Sequence, residues 1–170
     1  MPEVSNALPS GYRLHEYRVE SVLGAGGFGL TYLATDANLN LKVALKEYLP
    51  SNFAARAEDS TVQPGPGEAA ESFQWGLQRF MDEAKTLASF HHPNIVRVMR
   101  FFEANSTGYM VMEFVDGKPL SEWIVTRRPL SQPALQALVG PLLDGLEIIH
   151  KAGYLHRDIK PSNIFMREDG

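Results

Sequence analysis

The spacing of apolar residues divides the chain into strands first and helices second. Tyr17-Arg18-Val19-Glu20-Ser21-Val22-Leu23 alternates apolar with polar, the period of a half-buried strand. Leu30-Thr31-Tyr32-Leu33-Ala34-Thr35 and Leu41-Lys42-Val43-Ala44-Leu45-Lys46 read as the next two strands. The glycine-rich run Gly24–Gly29 joins the first pair as a hairpin, and the polar turn Asp36–Asn40 joins the second. From Trp75 to Phe90 the period changes. Leu77, Phe80, Met81, Ala84, Leu87 and Ala88 recur at steps of three and four, which predicts a helix with one apolar stripe, ended by His91-His92-Pro93. Ile95 to Phe102 and Tyr109 to Val115 are two more strands around the turn Glu103–Gly108, making a five-stranded antiparallel sheet with one helix.

Beyond Asp116-Gly117 the pattern is helical. Leu120 to Val125 predicts a short helix, and Ser131-Gln132-Pro133 opens a long one as cap and early proline. Leu135, Leu138, Val139, Leu142, Leu146 and Ile149 form its expected buried stripe, Pro141 is expected to kink it, and Gly153 closes it. Ile164-Phe165-Met166 begins a strand. Residues 1 to 11 read as a flexible tail, and residues 47 to 73, with Pro50, Pro64, Gly65, Pro66 and Gly67, as a solvated loop insertion. The expectation is an α+β protein: a sheet with one helix over residues 12–115, then a helical part over 116–170.

Composition narrows the classes. At 170 residues, 44% hydrophobic and 21% charged, the chain can bury a core like any globular protein. A formal net charge of -4 argues against a nucleic-acid binder. With no cysteine there is no disulfide framework, thiol catalysis or thiolate metal site, which fits a cytoplasmic protein. No stretch approaches the roughly 20 apolar residues of a membrane span, and the start MPEVSNALPSG has no signal-peptide pattern.

The chemistry is concentrated in Tyr154-Leu155-His156-Arg157-Asp158-Ile159-Lys160-Pro161-Ser162-Asn163-Ile164-Phe165. Phosphoryl transfer needs a carboxylate to orient an attacking hydroxyl, a cation near the transferred phosphate and an oxygen ligand for a metal. Asp158, Lys160 and Asn163 supply those three types within one loop. Upstream, Gly24-Ala25-Gly26-Gly27-Phe28-Gly29 is a G-x-G-x-x-G whose glycines would let backbone amides approach phosphate oxygens. A dinucleotide-binding fold requires a helix after such a loop. Leu30–Thr35 reads as a strand, so a Rossmann-type oxidoreductase is set aside. The paired His91 and His92 at a helix end suit carbonyl capping better than metal binding.

The string H-R-D-x-K-P-x-N, with the glycine loop and Val43-Ala44-Leu45-Lys46 before it, resembles the protein kinase family, and Lys160 two places after Asp158 resembles its serine/threonine branch in the bacterial type. The resemblance implies a kinase-like fold, with a five-stranded N-lobe sheet, one αC helix and the start of a helical C-lobe. It implies ATP and Mg²⁺ as cofactors, serine or threonine hydroxyls of a protein as acceptor, and no nucleic acid. Leu23, Gly24, Gly26, Gly29, Thr31, Ala44, Met112, Glu113, Val115 and Phe165 would surround the nucleotide, Thr31 standing where the family usually has valine. Lys46 would hold the α- and β-phosphates while paired with Glu83. Asp158 would orient the acceptor hydroxyl, Lys160 would neutralise the γ-phosphate, and Asn163 would bind Mg²⁺. No Asp-Phe-Gly follows, so the second magnesium ligand is missing from this chain, and a fragment of a longer kinase is expected. The alternative is a non-catalytic nucleotide-binding or scaffold module. The string HRDIKPSN disfavours small-molecule kinases. Substrate identity, activating signal and oligomeric state are not encoded in these features.

Overall fold

Alternation along the chain carries directly into the sheet. In the computed structural model, which describes residues 6–167, the strands are β1 (Arg13–Leu14), β2 (Tyr17–Gly26), β3 (Gly29–Asp36), β4 (Leu41–Tyr48), β5 (Ala54–Arg56), β6 (Val62–Pro64), β7 (Val98–Ala104), β8 (Thr107–Glu113), β9 (Gly117–Pro119) and β10 (Phe165–Arg167). The helices are α1 (Glu68–Ala88), α2 (Leu120–Trp123) and α3 (Gln132–Lys151), with short 3₁₀ turns at Val125–Arg127 and Pro161–Asn163. The chain divides into two units. One runs up to Ser89 and includes Arg97–Phe114; the other holds Phe90–Val96 and the residues from Val115 onward.

The first unit is an antiparallel sheet in the order β1-β2-β3-β4-β8-β7. The five expected strands are there, and two-residue β1 adds a sixth at the edge of β2. Because successive side chains alternate in direction, Leu30, Tyr32 and Ala34 of β3 share one face with Val43, Leu45 and Glu47 of β4, all of them buried. Thr31, Ala44, Lys46 and Tyr48 line the opposite face. Helix α1 packs on that second face through Phe73, Leu77, Phe80 and Ala84. The Tyr48 ring lies 5.2 Å from Phe73 and 5.7 Å from Phe80. Gly76 sits mid-helix for a steric reason: a Cβ there would meet the Tyr48 hydroxyl at 2.0 Å.

Two segments depart from the expectation. The described part of the presumed tail, residues 6–11, is docked: Leu8 is buried, its amide donates to Tyr32 Oη at 3.1 Å, and Gly11 N donates to Val19 O at 2.8 Å. Burying one such leucine contributes about 1.5–3 kcal/mol, enough to hold a short segment down. The 47–73 insertion is not a solvated loop either. It contains the hairpin β5–β6 with Ala54 and Val62 buried, and the first turns of α1. The helix begins at Glu68, seven residues before the apolar stripe suggested, because Glu68 and Glu71 complement the N-terminal dipole and Phe73 extends the stripe backward.

In the second unit β9 pairs with β10, and Leu120 N donates to Ile164 O at 2.7 Å. Ser131 caps α3 as expected, its Oγ accepting from Ala134 N at 3.4 Å. The helix runs through Pro141 to Lys151, and Gly153, with φ 81, ends it. Its expected buried stripe is largely open. Ile149 and Gly145 are buried, Leu138, Leu142 and Leu146 are half-buried, and Leu135 and Val139 are exposed. Where α3 does pack, it meets Phe90–Val96: a Cβ on Gly145 would lie 3.4 Å from Ile95 and 3.6 Å from His92. Among the described residues, no helix is long and apolar enough to cross a membrane.

Candidate active site

Each unit carries one set of the residues singled out by sequence. In the first, β2 and β3 meet in the glycine hairpin, with Gly24 opposite Thr31 and Gly26 opposite Gly29. These glycines differ in what they face. A Cβ on Gly29 would strike Glu47 O at 1.9 Å, and its φ of 147 lies where L-residues are strained, so the fold itself demands glycine there. A Cβ on Gly24, Gly26 or Gly27 would meet nothing within 4 Å. Packing does not explain them, and the space over their backbone is open. Leu23 beside them is exposed.

Cross-strand pairing brings the other nucleotide-facing candidates together. Lys46 lies opposite Thr31 and Met110, and Ala44 lies opposite Leu33 and Met112, so Thr31, Ala44, Lys46 and Met112 share one face. Glu113 ends the edge, its amide donating to Arg97 O at 2.9 Å. The expected Lys46–Glu83 ion pair is not formed: among the described residues Lys46 has its ammonium 5.8 Å from the centroid of the Phe80 ring, within cation–π range, and Glu83 is exposed. The helical phase explains this. Phe80 and Ala84 take the inward positions of α1, which leaves Glu83 on its flank.

The second set is in the other unit. Asp158 accepts from Lys160 Nζ at 3.0 Å and from Asn163 Nδ2 at 2.7 Å, while the same amide also donates to Asp158 O at 3.0 Å. Arg157, with φ 61, turns the chain into this loop, and the 3₁₀ turn Pro161–Asn163 returns Asn163 to Asp158. The hydrogen bond from Lys160, then that from Asn163, holds the Asp158 carboxyl below the usual carboxylate range, so it is ionised at neutral pH. Asn163 spends its amide nitrogen on Asp158, leaving its Oδ1 as an oxygen donor. Val115 and Phe165 belong to this unit, half-buried and exposed respectively. Among the described residues, no three of His, Cys, Asp and Glu gather to hold a metal. His92 Nδ1 instead accepts from Asn94 N at 3.2 Å.

Sequence reasoning missed one cluster. Glu47, fully buried, accepts from Tyr32 Oη at 2.7 Å, from Tyr109 Oη and from Arg56 Nη2 at 2.5 Å. Burial, then the Glu47 charge, pushes both phenols well above their ordinary pKa. Burial alone would lower the Arg56 pKa, but the bond to Glu47 and its charge raise it. The signal was present in the sequence: Glu47 continues the inward phase of Val43 and Leu45.

A sequence profile of the protein kinase domain matches residues 17–170. The chain belongs to the protein kinase family. Among curated relatives, this kinase-family chain is 35% identical over 150 residues to serine/threonine-protein kinase pkn2 of Myxococcus xanthus, covering 88% of this chain and 16% of that protein. It is 30% identical over 155 residues to the probable serine/threonine-protein kinase YbdM of Bacillus subtilis, covering 91% of this chain and 54% of YbdM. Among solved structures, the apo form of PpkA-294 superposes with a TM-score of 0.88 at 39% identity, covering 97% of this chain and 59% of that one. The PknI kinase domain of Mycobacterium tuberculosis gives a TM-score of 0.70 at 28% identity, covering 95% and 58%. The family is thus the bacterial, eukaryotic-like type, and the chain spans less than two thirds of the length of these relatives.

Proposed function

We propose that these residues are the nucleotide-binding and catalytic-loop parts of an ATP-dependent protein serine/threonine kinase, which transfers the γ-phosphate of ATP to serine or threonine hydroxyls. The observation that carries the reading is the joining of Asp158, Lys160 and Asn163 in one hydrogen-bonded loop. An ionised Asp158 can accept the hydrogen bond of an acceptor hydroxyl and align its oxygen for attack. Lys160, now paired with Asp158, carries the positive charge that a γ-phosphate would draw on. In the other unit, the open backbone at Gly24, Gly26 and Gly27 fits phosphates, and the face with Thr31, Ala44 and Met112 offers an apolar surface for adenine. Lys46 would reach the phosphates once Glu83 comes to it, the ion pair on which kinases depend. Leu23 and Glu113 complete the residues proposed to face the nucleotide in that unit.

Asn163 Oδ1 would be one ligand for Mg²⁺, an ion that would neutralise charge on the phosphates. The described residues do not make up a full site for it. ATP as substrate fits a cytoplasmic catalytic domain. The test is a kinase assay paired with nucleotide binding. In a protein that carries these residues together with the rest of a kinase catalytic domain, Asp158→Asn is expected to abolish transfer while ATP affinity stays near that of the unaltered protein; transfer that survives the substitution would refute the assignment. A second reading, a nucleotide-binding module without transfer, is favoured by the unformed Lys46–Glu83 pair, and it predicts ATP binding with no transfer from the unaltered protein.

A further inference from the structure

Three successive residues of β4 go to three different places. Lys46 faces the proposed phosphate site, Tyr48 packs into α1, and Glu47 between them enters the buried polar cluster on the opposite face. The end of the same strand forms the floor of the glycine hairpin. Gly29 lies opposite Tyr48 with no space for a Cβ, and Leu49 N donates to Phe28 O at 3.1 Å. Any shift of residue 47 therefore carries Lys46 and the base of the glycine loop with it.

What fixes Glu47 comes from the segment that it opens, residues 47–73. Arg56, nine residues on, returns its guanidinium to the Glu47 carboxylate. Its side chain is 7% exposed, and its remaining nitrogens are spent on main-chain oxygens: Nε on Asn6 O and Nη1 on Ser60 O, both at 2.8 Å. The guanidinium thus ties together the N-terminal segment, the β5–β6 hairpin and β4. A buried ion pair is a poor way to gain stability, since desolvation consumes most of its attraction and well-packed apolar residues would do as well. A planar fork does specify direction, which an apolar contact does not. The carboxylate has one orientation that satisfies Arg56, Tyr32 and Tyr109 together.

We infer that Arg56 is a positioning residue for nucleotide binding: acting through Glu47, it sets the end of β4 that carries Lys46 and supports the glycine loop. The inference rests on the kinase reading of Lys46 and the glycine loop given above. It gives the 47–73 insertion a function in the site rather than at the surface.

The test compares Arg56→Lys and Arg56→Met with the unaltered protein. Affinity for a non-hydrolysable ATP analogue with Mg²⁺ is measured well below the melting temperature of each variant, together with amide hydrogen exchange. Arg56→Lys keeps the charge and loses the fork. It is expected to remain folded, to bind the analogue about tenfold more weakly, and to exchange faster at residues 28–30 and 46–49 than elsewhere in its unit. Unchanged affinity in both folded variants, or exchange that rises evenly through the unit, would mark Arg56 as a general brace and overturn the inference. Lys46→Met is measured alongside. If it binds the analogue as the unaltered protein does, the kinase reading of Lys46 fails, whereas the local exchange pattern reports on the Arg56 linkage independently.

Discussion

Glu47 shows how one residue can set the conditions under which its surroundings are stable. The two phenols that donate to it titrate far above their ordinary value in the folded protein, by burial first and by the Glu47 charge second. Burial raises Tyr48 as well, and Tyr17. Above about pH 10 the unfolded chain loses these phenolic protons while the folded one keeps them. The unfolded state then binds fewer protons, so stability is complete below that pH and falls as pH rises, by about 1.4 kcal/mol per pH unit for each phenol. Urea unfolding midpoints between pH 8 and pH 11 are expected to drop steeply past pH 10, and Tyr32→Phe with Tyr109→Phe should flatten the slope. An equal slope in the doubly substituted protein would count against the cluster as its source. At neutral pH Tyr109→Phe alone removes a donor from a buried carboxylate and is expected to cost about 1–3 kcal/mol.

The glycine hairpin separates residues needed by the fold from residues available to a ligand. Gly29→Ala would push a methyl group into the Glu47 carbonyl at a backbone angle that L-residues avoid, and is expected to cost about 1–3 kcal/mol. Gly26→Ala meets open space, so the melting temperature should hardly change while ATP affinity falls, because the methyl takes the room a phosphate would use. Calorimetry and nucleotide titration on both variants check this, and an equal effect of the two on stability would remove the distinction. The motif spacing made both glycines visible, but not which role each has, since that depends on Glu47 O lying behind one of them. The same limit runs through the fold. Strand β2 was legible from its alternation, β3, β4, β7 and β8 as apolar runs bounded by turns, and α1 because one stripe faces that sheet. The β5–β6 hairpin was not, because Pro50, Pro64 and Pro66 give it loop composition and its anchors are non-local, among them Arg56 meeting Glu47 and Val62 N donating to Asn105 O. Asp158, Lys160 and Asn163 were legible as a group from their residue types and spacing, and they are hydrogen-bonded in one loop; the open Lys46–Glu83 pair was not legible, since it turns on how α1 is rotated.

At the scale of the whole chain, the two units bury very different amounts. The first has a continuous core from Leu8 through Tyr32, Leu45 and Phe73 to Val111. In the second, the buried apolar side chains among the described residues are Phe90, Leu120 and Ile149, while Leu135, Val139, Leu143, Tyr154, Leu155 and Ile159 are exposed. A helix draws most of its stability from packing its apolar face, so α3 has little beyond its own propensity, its Ser131 cap and its contact with residues 90–96. Local opening costs less where fewer apolar contacts must be broken. For a chain of these 170 residues, amide exchange in α3 is therefore expected to be faster than in α1 by several orders of magnitude, with the catalytic loop exchanging faster still. The slowest amides should lie in β3, β4 and β8, whose side chains pack on both faces. Protection in α3 equal to that in α1 would show that its apolar face is covered in solution, and the energetic contrast drawn from burial would then be wrong. Should the contrast hold, nucleotide binding to the glycine loop and Lys46 ought to slow exchange in the first unit at low ligand concentration, since that part of the proposed site stands on a formed core.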